Sequence, residues 1–543
     1  MKATKAFLNA KVYTTNKNRD WAEAVAVADD KIIFVGSTTD AENYIDASTE
    51  IFDLEGKMLL PGFTDGHCHP FLGTFFGLGL NIDFEWDEET LKSELKKHID
   101  ANPGKKAYFG MGYSEWLWNE THQPFASMLD EICPDKPVLL LSGGGHEGWC
   151  NTKALEMASV TKDTPDPVPG FQFFKRDAEG NPTGWIKETA AEAIILQAID
   201  MFEPEEIKAS LKAVFDAYAA AGITTIGDAG VYNFWEDLIF PVVKEMEDAG
   251  ELKQHLSCCT FCLAEIPFEE AIERLKYLNK TYNSKDYFFN TLKILNDGTP
   301  EAKTGALTEP YPENGQIVPP VFVGDEFAEI GIETAKAGFD IHIHAIGDKA
   351  ILETLEMARR VREAGYKDMR ITNAHTQMVL PETRPLFKEY DVIANTTTVW
   401  FFGGDMSFLP EKLQPHQFNF REMVDSGVIL NLGSDFPADY YGYEPLKGIE
   451  MGLTRRVYGQ PDAPVLEPMT ESLTIDETLE GYTYGALYTH RLEDFTGSVE
   501  VGKCADFVVL GENIFETDPY SIHKIPVCMT FMNGKMTYKN EEL

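Results

Sequence analysis

The tripeptide His67-Cys68-His69 sets two imidazoles two residues apart at the end of an apolar run, 58–64. Strand alternation points residues i and i+2 to the same side. Alone, such a triplet is weak evidence for a metal, because histidine also serves as a polar core residue. Four more candidate groups stand in or at the ends of other apolar runs: Lys293 in Leu292-Lys293-Ile294-Leu295, His344 in Ile341-His342-Ile343-His344, His375 in Asn373-Ala374-His375, and Asp435 in Leu432-Gly433-Ser434-Asp435. Each has a bland reading: Asp435 as a helix cap, His375 as a hydrogen-bonded core residue, Lys293 as a lysine snorkelling from an edge. Their shared placement argues for chemistry. Histidine and carboxylate donors suit Zn²⁺, and also Mn²⁺, Fe²⁺ or Co²⁺, and a lysine inside an apolar strand is out of place unless its charge is neutralised or used.

These groups converge only if the runs that carry them open on one mouth. Eight runs fit parallel strands: 58–64, 223–228, 255–261, 292–295, 340–344, 370–375, 392–397 and 428–434. They alternate with helical patterns, the signature of βα units. Eight is the number that closes a (β/α)8 TIM barrel of the α/β class, whose active site lies where the C-terminal strand ends meet. Asp65-Gly66, just before His67, reads as a tight turn at such an end. The stretch 71–220, with two further apolar runs at 107–111 and 138–142, is expected to be an inserted subdomain or lid between the first and second barrel strands. Residues 1–56 and 495–543 read as short strands with turns, Asn533-Gly534 being a hairpin signal. They predict a composite β-sandwich built from both ends, flanking a hydrolase barrel over 57–494.

The formal charge of −41, from 47 basic and 88 acidic residues, repels phosphate backbones and anionic membrane surfaces. It argues against nucleic acid and membrane as partners and leaves a small-molecule substrate as the expected one. Residues 1–17 lack the continuous apolar stretch of a signal peptide, and no run long enough to span a bilayer follows, so a cytoplasmic location is expected. Eight cysteines in 543 residues are too sparse for a disulfide scaffold. Cys258-Cys259-Thr260-Phe261-Cys262 has no partner pair and reads as core, not as a second metal site. A homodimer or homotetramer is the common outcome for a soluble enzyme.

Taken jointly, the motifs resemble those of the amidohydrolase superfamily, in particular the YtcJ-like proteins and N-substituted formamide deformylases of amidohydrolase family 3. The matching stretches are Pro61 through Pro70 around the His67-Cys68-His69 triplet, Gly222-Ile223-Thr224-Thr225, Lys293 with Asp297-Gly298, His344-Ala345-Ile346-Gly347-Asp348, His375, Gly433-Ser434-Asp435, and Gly497 through Asp506. The resemblance implies a metal-dependent hydrolase that cleaves a non-peptide amide-type C–N bond, in an N-substituted amide or formamide, with a metal-activated water. It implies that His67 and His69 bind the more buried ion, that His344 and His375 bind the more exposed one, and that a carbamylated Lys293 bridges the two. Asp435 would bind metal and shuttle the proton, first as general base and then as general acid. His342 is taken as a neighbouring structural residue.

The same resemblance places the stretch 144–151 near the pocket, with His146 and Trp149 as substrate contacts. A glycine-rich turn before a helix reads equally well there. Aromatic residues at Trp116, Trp118, Trp185, Tyr232 to Trp235, Trp400 to Phe402 and Tyr440 to Tyr443 are expected near the mouth, and some of them as an apolar wall for a hydrophobic N-substituent. Two alternatives stay open: a deaminase or cyclic amide or imide hydrolase on the same barrel, and a non-catalytic metal-binding scaffold. The purified protein should hold one to two transition-metal ions per chain. Elemental analysis giving less than about a tenth of an equivalent, with no activation by added Zn²⁺, Mn²⁺ or Co²⁺, would sink this ligand set.

Overall fold

Apolar runs separated by amphipathic helices pair in parallel through crossovers. In the computed structural model, which describes every residue except 200, 265, 439, 440 and 543 and the side chain of residue 76, eight strands do so. They are β1 (Phe63–Cys68), β2 (Ile223–Asp228), β3 (His255–Cys262), β4 (Tyr287–Leu295), β5 (Asp340–Ala345), β6 (Ile371–His375), β7 (Val392–Thr396) and β8 (Leu430–Leu432). Each pairs in parallel with the next in chain order. At the seam, β8 meets β1 without a regular ladder. Asn431 Nδ2 donates to the Gly66 carbonyl at 3.2 Å, and the Asp435 N–H to the His67 carbonyl at 2.8 Å. The Ser434 N–H and hydroxyl donate to the Asp65 carboxylate at 2.9 and 2.6 Å. The result is a nearly closed TIM barrel.

Two local readings are corrected. Met58–Pro61 lies outside the barrel, pairing with Lys11–Tyr13 and antiparallel with Phe507–Leu510. Gly62 marks the handover: its N–H donates to the Asp506 carbonyl at 3.0 Å, and a Cβ there would come within 2.2 Å of Thr224 Oγ1. Asp65-Gly66, in turn, is not a turn. Both residues lie within β1, because the Asp65 carboxylate is engaged in holding β8.

Strands from both ends of the chain interleave. Lys31–Gly36, Ala24–Ala28, Lys5–Leu8 and Glu50–Asp53 form a four-stranded sheet, while Val527–Met532 and Lys535–Lys539 join Phe507–Leu510, Met58–Pro61, Lys11–Tyr13 and Trp21–Ala22 in a six-stranded one. Phe7, Val25, Leu59, Phe507 and Phe531 pack in the core they share. Between β1 and β2 a second six-stranded sheet is built from Phe173–Arg176, Pro182–Lys187, Glu147–Cys150, Val138–Ser142, Tyr108–Tyr113 and Leu80–Asn81. Among the described residues no helix is long and apolar enough to cross a membrane. All eight cysteines are free and buried.

One buried ion cluster ties the barrel to the terminal strands. His255 opens β3 with Nε2 3.0 Å from Asp506 Oδ2 and Nδ1 2.8 Å from Asp286 Oδ1. Cys504 is also within reach of this pair, but Asp506 already accepts from the Thr496 hydroxyl at 2.6 Å and the Asn533 N–H at 2.7 Å. Burial opposes charge on His255, yet Asp506 and Asp286 outweigh it and raise the imidazole pKa to about 9. A folded-state pKa above the unfolded value near 6.5 contributes stability that is complete below pH ~6.5 and lost as pH rises through about 9. Thermal melts of the wild type should therefore lose stability across that window, and His255→Gln should flatten this part of the profile. Parallel profiles for the two proteins would remove His255 as the cause.

Candidate active site

Strand alternation aims the candidate side chains inward. In β5, Ile341 and Ile343 join the apolar core, so His342 and His344 face the barrel interior. In β4, Leu292 and Ile294 do the same and leave the fully buried Lys293 inside. His67 is the penultimate residue of β1, His375 ends β6, and Asp435 follows β8. The six residues singled out from the sequence thus meet at one mouth. Asp435 Oδ1 lies 3.3 Å from His67 Nε2 and 3.7 Å from His69 Nε2, and Oδ2 lies 4.0 Å from His375 Nδ1. Lys293 Nζ is 3.3 Å from His67 Nε2, and the His344 and His375 rings are 4.5 Å apart.

Hydrogen bonds select which ring nitrogens face the centre. His69 Nδ1 donates to the Gly230 carbonyl at 2.7 Å, which leaves the Nε2 lone pair toward Asp435. His67 Nδ1 is held by Asn395 Oδ1 at 3.1 Å and His342 Nε2 at 2.8 Å, so its Nε2 points to Lys293 and Asp435. His344 Nε2 faces the Gly298 carbonyl at 3.3 Å. Burial first, then the charge of Lys293 or of neighbouring imidazoles, drives His67, His344 and His375 well below the usual histidine range and His69 down to about 4. The rings are neutral lone-pair donors. His375 Nδ1 is buried with no hydrogen-bond partner among the described residues. Neutral imidazoles around a buried carboxylate, one ring nitrogen orphaned, are a donor set that fits a divalent cation.

The backbone at the mouth is strained where it presents these groups. His375, Thr376 and Asp435 have φ of 69°, 40° and 59°, left-handed conformations that cost non-glycine residues about 1–3 kcal/mol each and cluster at functional sites. Behind them Asp297 accepts from Ala306, Ile346 and Gly347 N–H groups at 2.8–3.0 Å, locking the loops after β4 and β5. Burial nonetheless raises its carboxyl to about 7.

The insert closes the mouth. His146 lies with its ring 5.4 Å from that of His344 and its Nδ1 2.7 Å from Glu188 Oε2. Burial disfavours its charge, but Glu188 prevails and lifts it to about 9. Both histidines line a cavity of ≈ 70 Å³ whose apolar wall is Leu72, Met111, Leu141, Tyr232, Phe261 and Leu295. Trp149 is not there, which corrects the expectation that it contacts substrate. Its indole is fully buried in the core of the insert, edge-on to Trp118 at 5.0 Å, with Nε1 donating to the Phe125 carbonyl at 3.0 Å. A large ring with one polar edge finds both needs met in that core. Of the aromatic groups predicted near the mouth, Tyr232 lines the cavity and Trp400 stacks on His375 at 5.5 Å, whereas Trp116, Trp118 and Trp185 line a separate one. Tyr440 lies outside the described residues.

Sequence reading passed over Asn395 and Glu188, took Asp65 only for part of a turn, and undervalued His342. Only His342 left a signal, its i−2 spacing from His344. The others act across strands far apart in the chain.

A (β/α)8 barrel with imidazole and carboxylate donors at its C-terminal mouth is the architecture of a metal-dependent hydrolase. The chain belongs to the amidohydrolase family, whose model matches residues 50–538, and is a hydrolase. It is 31% identical to the exoenzymes regulatory protein AepA of Pectobacterium carotovorum subsp. carotovorum, over 78% of this chain and 92% of that one. It is 24% identical to the N-substituted formamide deformylase of Arthrobacter pascens over 98% of both. In fold it resembles an uncharacterized metal-dependent hydrolase from Pyrococcus horikoshii OT3, with a TM-score of 0.74 and 21% identity over 95% of this chain and 99% of that one.

At Gly433 two backbones approach closely, since a Cβ there would sit 2.5 Å from the His67 backbone N. Gly433→Ala should part β8 from β1, lower stability by about 1–3 kcal/mol and weaken metal retention. Unchanged melting and unchanged metal content on dialysis would show that the seam does not position the donors.

Proposed function

We propose that the protein hydrolyses the C–N bond of an N-substituted amide, with a formamide as the best-fitting class. The observation that carries this reading is Asp435: its carboxylate lies within 3.3–4.0 Å of His67, His69 and His375 and borders the small apolar cavity. A cavity of ≈ 70 Å³ suits a formyl or similarly small acyl group beside the imidazoles. The walls of Leu72, Met111, Tyr232 and Phe261 suit an apolar N-substituent. The deformylase relative supports the same class.

His67, His69, His344, His375 and Asp435 would hold the metal, together with a carbamate on Lys293. Zn²⁺ suits the nitrogen-rich donor set best. Bound there, such an ion supplies Lewis acidity and makes a water acidic enough to ionise near neutral pH. Asp435 takes the proton of the attacking water and returns it to the leaving nitrogen, the two halves of general base and general acid catalysis. Burial raises the Asp435 carboxyl above the usual range, which makes it a better base than an exposed aspartate. The apolar walls exclude competing water and orient the acyl group.

Lys293 needs a lone pair to react with CO2, and burial lowers its ammonium to about 8. The neutral amine therefore gains population as pH rises through 8, so carbamylation should be favoured on the alkaline side. The ammonium first loses one proton; as the neutral amine then forms the N–C bond, one C=O π bond of CO2 opens and a second proton leaves the nitrogen, so a cation is replaced by an anion with two oxygen donors.

Asp435→Asn should lower kcat by roughly 10²–10⁴ and leave the fold intact, as measured on a panel of N-formyl, N-acyl and cyclic amides with metal-loaded protein. Normal turnover at normal metal content would overturn the shuttle. Lys293→Ala should lose metal and activity, and acetate or propionate should restore part of both. An unmodified Lys293 ammonium beside two filled metal sites, seen at high resolution, would refute the bridge.

A further inference from the structure

One residue of the insert, His146, reaches the cavity, and a second, Glu188, holds it from behind. His146 ends the glycine turn before Glu147–Cys150, and Glu188 follows Pro182–Lys187, which pairs antiparallel with that strand through Glu147 and Lys187. The pairing sets the two residues side by side. The Glu188 N–H donates to the His146 carbonyl at 3.0 Å, and His146 Nδ1 lies 2.7 Å from Glu188 Oε2. Glu188 is 1% exposed, holds a left-handed φ of 70°, and keeps Oε1 without a hydrogen-bond partner among the described residues. Strain and a buried, half-satisfied carboxylate are both costly and call for a use. The loop after β4 accommodates this carboxylate only because residue 298 is glycine: a Cβ there would come within 2.2 Å of Glu188 Oε1. The carbonyl of the same Gly298 faces His344 Nε2 at 3.3 Å. Glu188 therefore touches both the lid histidine and the loop that orients a barrel histidine, and the Asp435 chemistry makes no use of it.

We propose that Glu188 is a positioning residue that holds His146 by Nδ1 and turns Nε2 to the cavity, so that His146 hydrogen-bonds a substrate oxygen from the insert while Asp435 approaches from the barrel. A carboxylate that accepts from Nδ1–H fixes the ring orientation and favours the imidazolium, so Nε2 also carries a hydrogen and is the donor offered to the substrate oxygen. His146 lines the cavity. The identity of the substrate oxygen rests on the amide-hydrolase reading; the coupling of Glu188 to His146 does not.

Two measurements on the full-length protein separate these parts. In the first, ¹⁵N-histidine NMR reads the His146 ring nitrogens, assigned by the signals lost in His146→Gln. Near neutral pH the wild type should show hydrogen on both ring nitrogens, Glu188→Gln should keep hydrogen on Nδ1 because its amide oxygen still accepts, and Glu188→Ala should shift to a mixture of neutral tautomers. An unchanged His146 spectrum in Glu188→Ala overturns the proposal. In the second, kcat/KM is measured on N-benzylformamide for the wild type, both alanine variants, the double variant and Glu188→Gln. His146→Ala and Glu188→Ala should each cost up to about 10²-fold, the double variant should be no worse than His146→Ala, and Glu188→Gln should recover most of the loss. Additive losses, or a wild-type rate in Glu188→Ala, overturn it as well. If the wild type cleaves no member of the amide panel, the amide reading fails, and the NMR result alone decides whether Glu188 positions His146.

Discussion

The site depends on the seam between the first and last barrel strands. β1 and β8 are separated by more than 360 positions in the chain, as the Asp65–Ser434 bonds span, and no regular ladder joins them. What joins them is a buried carboxylate, backed by the bonds from Asn431 and Asp435 to the Gly66 and His67 carbonyls. Asp65 accepts from the N–H and hydroxyl of Ser434, charge-assisted bonds that offset the desolvation of a carboxylate. Burial still raises its pKa to about 6. Glycine at 66 and 433 permits the approach, since a Cβ would fall 1.8 Å from Asn431 Oδ1 in one case and 2.5 Å from the His67 backbone N in the other. Parting the seam separates His67 and His69 from Asp435, and with them the candidate metal donors.

The mouth concentrates groups that do not favour one another's company. Burial strips the imidazoles of charge, depresses the lysine and raises the carboxyl, and the strands that present them end in left-handed residues. Such an arrangement is weakly stabilising as a protein core and well suited to a cation, which would engage the lone pairs and the carboxylate at once. The surrounding shell of Asn395, His342, Asp297 and the Gly230 carbonyl fixes ring orientation beforehand, so little reorganisation accompanies binding.

The insert adds what the barrel lacks. Two residues three positions apart have opposite fates: the turn before Glu147–Cys150 delivers His146 to the cavity, and the strand itself sends Trp149 into the insert's own core. Barrel enzymes vary their chemistry through such loops and insertions while the strand ends stay in place. Here the second residue of the pair, Glu188, comes from a different strand of the insert, and Gly298 of the barrel loop makes room for it.

The sequence by itself determined the number and order of the barrel strands and placed His67, His69, Lys293, His344, His375 and Asp435 in or at the ends of them. It could do so because strand periodicity and the resemblance to a known family act locally, residue by residue along the chain. A histidine or lysine in or at the end of an otherwise apolar run is itself a local signal, which is why His344 and Lys293 were legible. Tertiary structure alone decided that Asp65 lies in a strand and not in a turn, that Met58–Pro61 belongs to the terminal sheets, and that Trp149 turns away from the cavity. It also brought Asn395 to His67 and Glu188 to His146. In each of these cases the partner comes from another strand or from the far end of the chain, and the desolvation and close packing that settle its position exist only once the sheets have closed.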